Sequence, residues 1–250
     1  MIKKIRKGVN KRMAALTLLS VELIIVLIIF FIALILFIEI ARKVFLSNQN
    51  EIDTKVFAFV SRFVSDATTD IMLFFTFLGT HYFLIPANLL LMAYFLFIKK
   101  HKWYSIKIPV IALTTTGMLF FMKHLFNRPR PLIPLLKEAK GLSFPSGHAM
   151  ISFTFYGLLI YIVWESVAKT WVKWTLSILL MLLIFMIGFS RIYLRVHYPT
   201  DVMAGFCVGM VWLVIAIWVL NIIEKYSGRK INPVVREEPV YNNQNAVKSS

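Results

Sequence analysis

Between Ile71 and Ile98 the chain carries no Asp, Glu, Lys or Arg, and the same holds from Val202 to Ile223. A third run, Met13–Ile40, is interrupted only by Glu22 and Glu39. Runs this long and this apolar match the hydrocarbon thickness of a bilayer. Three shorter runs, Ile108–Met122, Ala149–Trp164 and Trp174–Ser190, are flanked by Lys, Arg or His, whose long side chains can snorkel and lengthen a span. Six membrane helices are predicted. With 59% apolar and 16% charged residues, composition excludes both an ordinary soluble domain and a disordered chain.

The formal charge of +16 would suggest nucleic acid in a soluble protein. Here the cations flank membrane helices instead, so no nucleic-acid partner is expected. Met1–Arg12 holds Lys3, Lys4, Arg6, Lys7, Lys11 and Arg12 and is placed inside, with the Lys99–Lys107 and Glu165–Lys173 turns and the C-terminus. The first apolar run is too long for a signal-peptide core and reads as an anchor. Arg42–Asp70, Lys123–His148 and Arg191–Thr200 fall outside. The last two are basic on the side where basic loops are unusual, which asks for a use of those cations. Within Arg42–Asp70, Ile52, Val56, Phe59, Val60, Phe63 and Val64 recur at helical spacing, with Asp53, Lys55 and Arg62 between them. An amphipathic helix lying in the interface is predicted there. The organisation expected is a basic cytoplasmic tail (1–12), a membrane domain (13–223) and a disordered polar cytoplasmic tail (224–250). No internal repeat is visible.

The outer segments concentrate the polar chemistry. Lys123 to Pro131 reads K-H-L-F-N-R-P-R-P, Pro145 to His148 reads P-S-G-H before a helix, and Ser190-Arg191 is followed by His197 and Asp201. Each part suits a phosphate. Arg presents a planar fork to its oxygens and Lys a mobile charge. A Ser-Gly turn opening a helix aims backbone N–H groups at an anion. A carboxylate on one nitrogen of His197 would fix the tautomer that frees the other for attack on phosphorus, and Pro199 fits the first turn of a helix carrying Asp201. A second histidine, His148, can protonate the leaving oxygen.

The spacings K-x6-R-P, P-S-G-H and S-R-x5-H-x3-D, in that order, resemble the three-part signature of the type 2 phosphatidic acid phosphatase superfamily. P-S-G-H alone arises by chance about once in 10⁵ positions. The resemblance implies an all-α, six-transmembrane-helix bundle with an interfacial amphipathic helix, related to the helical core of vanadium haloperoxidases. It implies that His197 forms a phosphohistidine, Asp201 holds His197, and His148 is the general acid. Lys123, Arg130, Ser146, Gly147 and Arg191 would bind the phosphate. No cofactor and no metal are implied. The substrate would be a membrane lipid phosphate: phosphatidylglycerophosphate, undecaprenyl pyrophosphate, phosphatidic acid or lipid A. The sequence sets no oligomeric state.

Rival readings differ in class. A phosphotransferase would use the same site with a hydroxyl acceptor in place of water. An anion or lipid transporter would use the cations but leaves the His–Asp pair unexplained, and related halves with paired Gly or Pro interruptions are absent from the sequence. Arg128 is left as a headgroup contact or a solvated side chain, because the six-residue gap from Lys123 selects Arg130. His81 and His124 are read as structural and His101 as solvated. Glu22 and Glu39 are read as interfacial, Trp164, Trp171 and Trp174 as an aromatic belt, and Cys207 as packing.

Overall fold

A computed structural model describes residues 2–46, 51–136 and 140–231, with side chains described between residues 23 and 227. The tail expected to be disordered therefore lies outside the described residues from 232 onward, as does the side chain of Glu22. The elements are α1 (Ile2–Phe45), α2 (Glu51–Val60) with a 3₁₀ turn at Ser61–Phe63, α3 (Asp66–Leu78), and α4 (His81–Ala93) with a π turn at Tyr94–Ile98. They continue with α5 (Lys102–Phe126), α6 (Gly147–Ser166), α7 (Thr170–Tyr193) and α8 (Pro199–Ile231). No strand occurs among the described residues.

Six of these helices are long and apolar enough to cross a membrane, and the chain is an integral membrane protein. Their ends differ from those of the apolar runs in the sequence. The apolar run Ile71–Ile98 is divided: the second span is His81–Ile98, and the residues before it belong to α3. The division has a local cause. Ser65 and Thr68 form a reciprocal capping box that starts α3, Gly79 closes it, and the Thr80 hydroxyl donates to the Phe77 carbonyl at 2.7 Å. Hydropathy is blind to such caps. Lys107, expected in a solvated turn, is buried inside α5, where its ammonium donates to Glu224 and Asn221, each at 2.6 Å. Glu224 is thus part of α8, which continues through Ile231. Arg191, expected in a loop, sits in the last turn of α7.

Helix α6 is the centre of the bundle, packed against α5, α7 and α8, while α1 packs on α8 and α3 on α7. The α6–α8 contact is close because Gly205 and Gly209 leave no Cβ. A methyl at Gly205 would lie 2.7 Å from the Ser146 carbonyl, and one at Gly209 would lie 3.0 Å from that of Met150. Small residues four apart are the usual means of bringing membrane helices together. Phe126, Phe144 and Phe45 meet at ring distances of 4.8 to 5.2 Å and anchor α1 beneath the α5–α6 loop. At the other end Trp164 and Trp174 pack edge to face at 5.3 Å beside Lys173, as a belt at one interface requires.

The interfacial helix is present as α2, but its faces differ from the expectation. Asp53, read as one of its polar positions, is 1% exposed and Val60 is also buried, while Ile52, Phe59 and Phe63 face outward. Lys55 does remain on the surface, paired with Glu51.

Candidate active site

Helices α5 and α7 end, and α6 and α8 begin, at one end of the bundle. That end therefore collects Lys123 from the last turn of α5, His148 from the first turn of α6, Arg191 from the last turn of α7 and Asp201 from the first turn of α8. Two connecting segments complete it, 127–136 with 140–146, and 194–198. Asn127, in the left-handed conformation, ends α5, and the Ser143 amide returns to the Arg128 carbonyl at 2.8 Å.

His197 is buried, at 2% exposed. Its Nε2 lies 3.2 Å from Arg130 Nη1. A guanidinium only donates, so Nε2 carries the lone pair and Nδ1 carries the hydrogen. On the Nδ1 side the Ser143 hydroxyl lies at 3.3 Å and Asp201 Oδ2 at 3.6 Å. Ser143 donates its own hydrogen to Asp201 Oδ2, which also accepts the Tyr198 amide at 3.0 Å. The His197–Asp201 link is thus bridged by Ser143 as well as drawn by charge. Burial, with help from the Arg130 charge, pushes the imidazole down to about 4, against the opposing pull of Asp201. At neutral pH the ring is uncharged and its Nε2 lone pair is available.

Around this nitrogen the structure gathers the cations. Arg130 donates from Nη1 to the Val196 carbonyl at 2.8 Å and from Nε to the Gly141 carbonyl at 3.0 Å, which holds its fork in place. Burial lowers its pKa, consistent with a half-enclosed site. Lys123 donates to the Leu142 carbonyl. Arg191 is buried, donates from Nη1 to Thr76 at 3.3 Å, and its Nε has no hydrogen-bond partner among the described residues. His148 Nε2 and Ser152 Oγ are equally buried and unpartnered among those residues, and His148 lies within electrostatic reach of Arg191, His197 and Arg130. Buried polar groups left unpaired cost about 1–3 kcal/mol each, so three of them together mark a place built for a polar ligand. Gly79 borders the same place: a methyl there would lie 3.2 Å from His148 Cδ2 and 3.0 Å from Ser152 Oγ.

All eight sequence-selected residues, Lys123, Arg130, Ser146, Gly147, His148, Arg191, His197 and Asp201, lie at this end of the bundle. Ser146 differs from the expectation in one respect. Its amide donates to the Asp201 carbonyl at 2.9 Å, which ties α6 to α8, and its hydroxyl caps α6 through Ala149. Arg128 is corrected outright. It is 7% exposed and its guanidinium joins Asp53 and Asp201. Ser143 and Thr76 also belong to the site and were missed. Ser143 is two residues before Pro145 and carries no motif of its own, and Thr76 lies in what reads as a plain apolar run. His81 and His124 are exposed. Among the described residues no group of three or more His, Cys, Asp or Glu could hold a metal ion.

A helical membrane bundle with this motif order at one end is similar to the PAP2 superfamily, whose family model matches residues 105–224. Two relatives add to this likeness. Phosphatidylglycerophosphatase B of Bacillus subtilis (strain 168) is 29% identical over 142 residues, covering 56% of this chain and 70% of that one. YbjG of Escherichia coli (strain K12) is 35% identical over 111 residues, 42% of this chain, so the match spans about half (52%) of its length. The fold is similar to the crystal structure of a PAP2 type phosphatidylglycerolphosphate phosphatase from Bacillus subtilis. The TM-score is 0.68 at 23% identity, over 81% of this chain and 96% of that one.

Proposed function

We propose that the protein is a lipid phosphate phosphatase that hydrolyses a phosphomonoester or pyrophosphate headgroup through a phosphohistidine at His197. The observation that carries this reading is the arrangement around His197 Nε2: a neutral, oriented imidazole facing Arg130, beside the unpartnered donors of Arg191 and His148. Relatives whose names describe lipid phosphate phosphatases support the substrate class.

The geometry suggests the following sequence. Lys123, Arg130 and Arg191 clamp the phosphate oxygens and stabilise the charge that builds up on them in the transition state. The Nε2 lone pair forms a bond to phosphorus as the bond to the lipid oxygen breaks, and His148 supplies the proton that oxygen takes. The bound phosphate brings about −1.5 to −2 charges, which offset the cations near His148 and favour its protonated form. His148, now neutral, takes a proton from water. The hydroxide attacks phosphorus, the P–N bond breaks, and phosphate leaves with His197 restored.

The test is phosphate release by purified protein from phosphatidylglycerophosphate, undecaprenyl pyrophosphate, phosphatidic acid and lipid A, each with and without EDTA. Release from at least one lipid, undiminished by EDTA, is expected, because the cations already occupy the place a metal would take. No release from any of the four, or a strict requirement for a divalent ion, would overturn the reading.

The site is assigned to the outer face of the membrane. Lys99, Lys100, Lys102 and Lys169 crowd the opposite end of the bundle, where cytoplasmic basic loops belong. In a Cys207→Ala background, Leu132→Cys should react with an impermeant maleimide in intact cells and Lys169→Cys should not. Both wild-type positions are exposed. The reverse labelling pattern would place the chemistry on the cytoplasmic face.

A further inference from the structure

A buried carboxylate on a surface helix costs several kcal/mol unless it is paired and fully hydrogen-bonded. Asp53 of α2 is such a group, at 1% exposed. Its Oδ1 accepts the Thr200 amide at 2.9 Å, and its Oδ2 accepts the Thr200 hydroxyl at 2.9 Å and Arg128 Nη2 at 2.8 Å. The other arm of the same guanidinium, Nη1, donates to Asp201 Oδ1 at 2.6 Å and to Thr200 Oγ1 at 2.8 Å. The Tyr198 ring lies against the guanidinium face, 4.0 Å from Cζ. One planar fork therefore spans two buried carboxylates from two helices, a task a lysine ammonium cannot perform.

The division of labour on Asp201 follows. With Oδ1 held by Arg128, the carboxylate cannot rotate, and Oδ2 is the oxygen presented to Ser143, the Tyr198 amide and His197. We propose that Asp53 and Arg128 form a positioning relay for the His197–Asp201 pair, so that the interfacial helix α2 is part of the catalytic apparatus. Asp53 fixes the plane of Arg128. Arg128 fixes Asp201, and through Asp201 and Ser143 the ring of His197 keeps its Nδ1–H tautomer and its aim. The relay rests on the reading of His197 as nucleophile. Neither relay residue touches the substrate.

A kinetic double-mutant cycle with Asp53→Asn and Asp201→Asn tests it, since Asn preserves the shape of Asp. Asp53→Asn should lower kcat about 10- to 100-fold, the scale of a small misplacement of a reacting group, with KM within about threefold. In the Asp201→Asn background the same change should cost less than about threefold, because the pair acts as a unit. Arg128→Lys should reproduce the kcat loss with KM spared, and Glu51→Gln, on the exposed face of α2, should change nothing. Wild-type kcat in Asp53→Asn, or an equal loss in both backgrounds, would reduce the contact to a staple between helices and overturn the relay.

A second measurement separates failure of the relay from failure of the phosphatase reading. Orthovanadate takes a five-coordinate geometry bonded to the nucleophile, whereas inorganic phosphate needs only the clamp. Asp53→Asn should weaken orthovanadate binding at least about tenfold and leave phosphate within about threefold. Equal effects on the two anions, or no effect on either, would overturn the relay. A wild-type protein that releases no phosphate from any lipid overturns the phosphatase reading instead, and the relay is then judged on the vanadate difference alone.

Discussion

Replacing His197 with Ala should remove at least about four orders of magnitude of kcat, the scale seen when a nucleophile is deleted from a covalent mechanism. The residue has no substitute nearby. Its Nε2 is the lone pair facing Arg130, and the other buried imidazole, His148, belongs to the first turn of α6. Because His197 is 2% exposed, Ala leaves a cavity, so His197→Asn is the companion variant that preserves volume and a polar contact to Ser143. Both should elute as monodisperse protein with wild-type helicity, and both should lack turnover. Neither should accumulate acid-labile, alkali-stable phosphate. Turnover above about a tenth of wild type in either folded variant would refute nucleophilic attack by this residue.

The His148→Ala variant should discriminate between leaving groups. With an alkyl phosphate such as a lipid headgroup, loss of the general acid should cost roughly 10²- to 10⁴-fold in kcat. With p-nitrophenyl phosphate, whose leaving oxygen needs no proton, the loss should fall below about tenfold. The structural basis is the placement of His148 in the first turn of α6, beside Gly79, with Nε2 unpartnered among the described residues. A purely electrostatic or packing role would depress both substrates alike, and that result would assign the proton transfer elsewhere. The same comparison on Arg191, a clamp residue, should show no dependence on leaving group, since it acts on oxygens common to every substrate.

Charge-free runs determined the membrane class without help from the structure, because a bilayer imposes a length that few other environments do. Motif spacing selected the candidate residues for a related reason. Lys123, His148, Arg191 and Asp201 lie at helix ends that hydropathy locates well, and consecutive helices that cross the membrane in opposite senses bring those ends to one face. The second span is shorter than its apolar run because Ser65, Gly79 and Thr80 act through hydrogen bonds that leave no mark on mean hydropathy. The helix they create, α3, carries Thr76 to Ser190 and Arg191.

The tertiary structure alone decided which polar residues are buried. In sequence, Asp53 and Arg128 look like two solvated charges, one on an amphipathic helix and one in a basic loop. Their meaning depends on α2 docking against the start of α8, which puts Asp53, Arg128, Thr200 and Asp201 within hydrogen-bonding distance across chain separations no local pattern encodes. Lys107 and Glu224 repeat the lesson at the opposite end of the bundle. A charge's partner is a property of three dimensions, whereas the length of an apolar run and the end of a helix are properties of one.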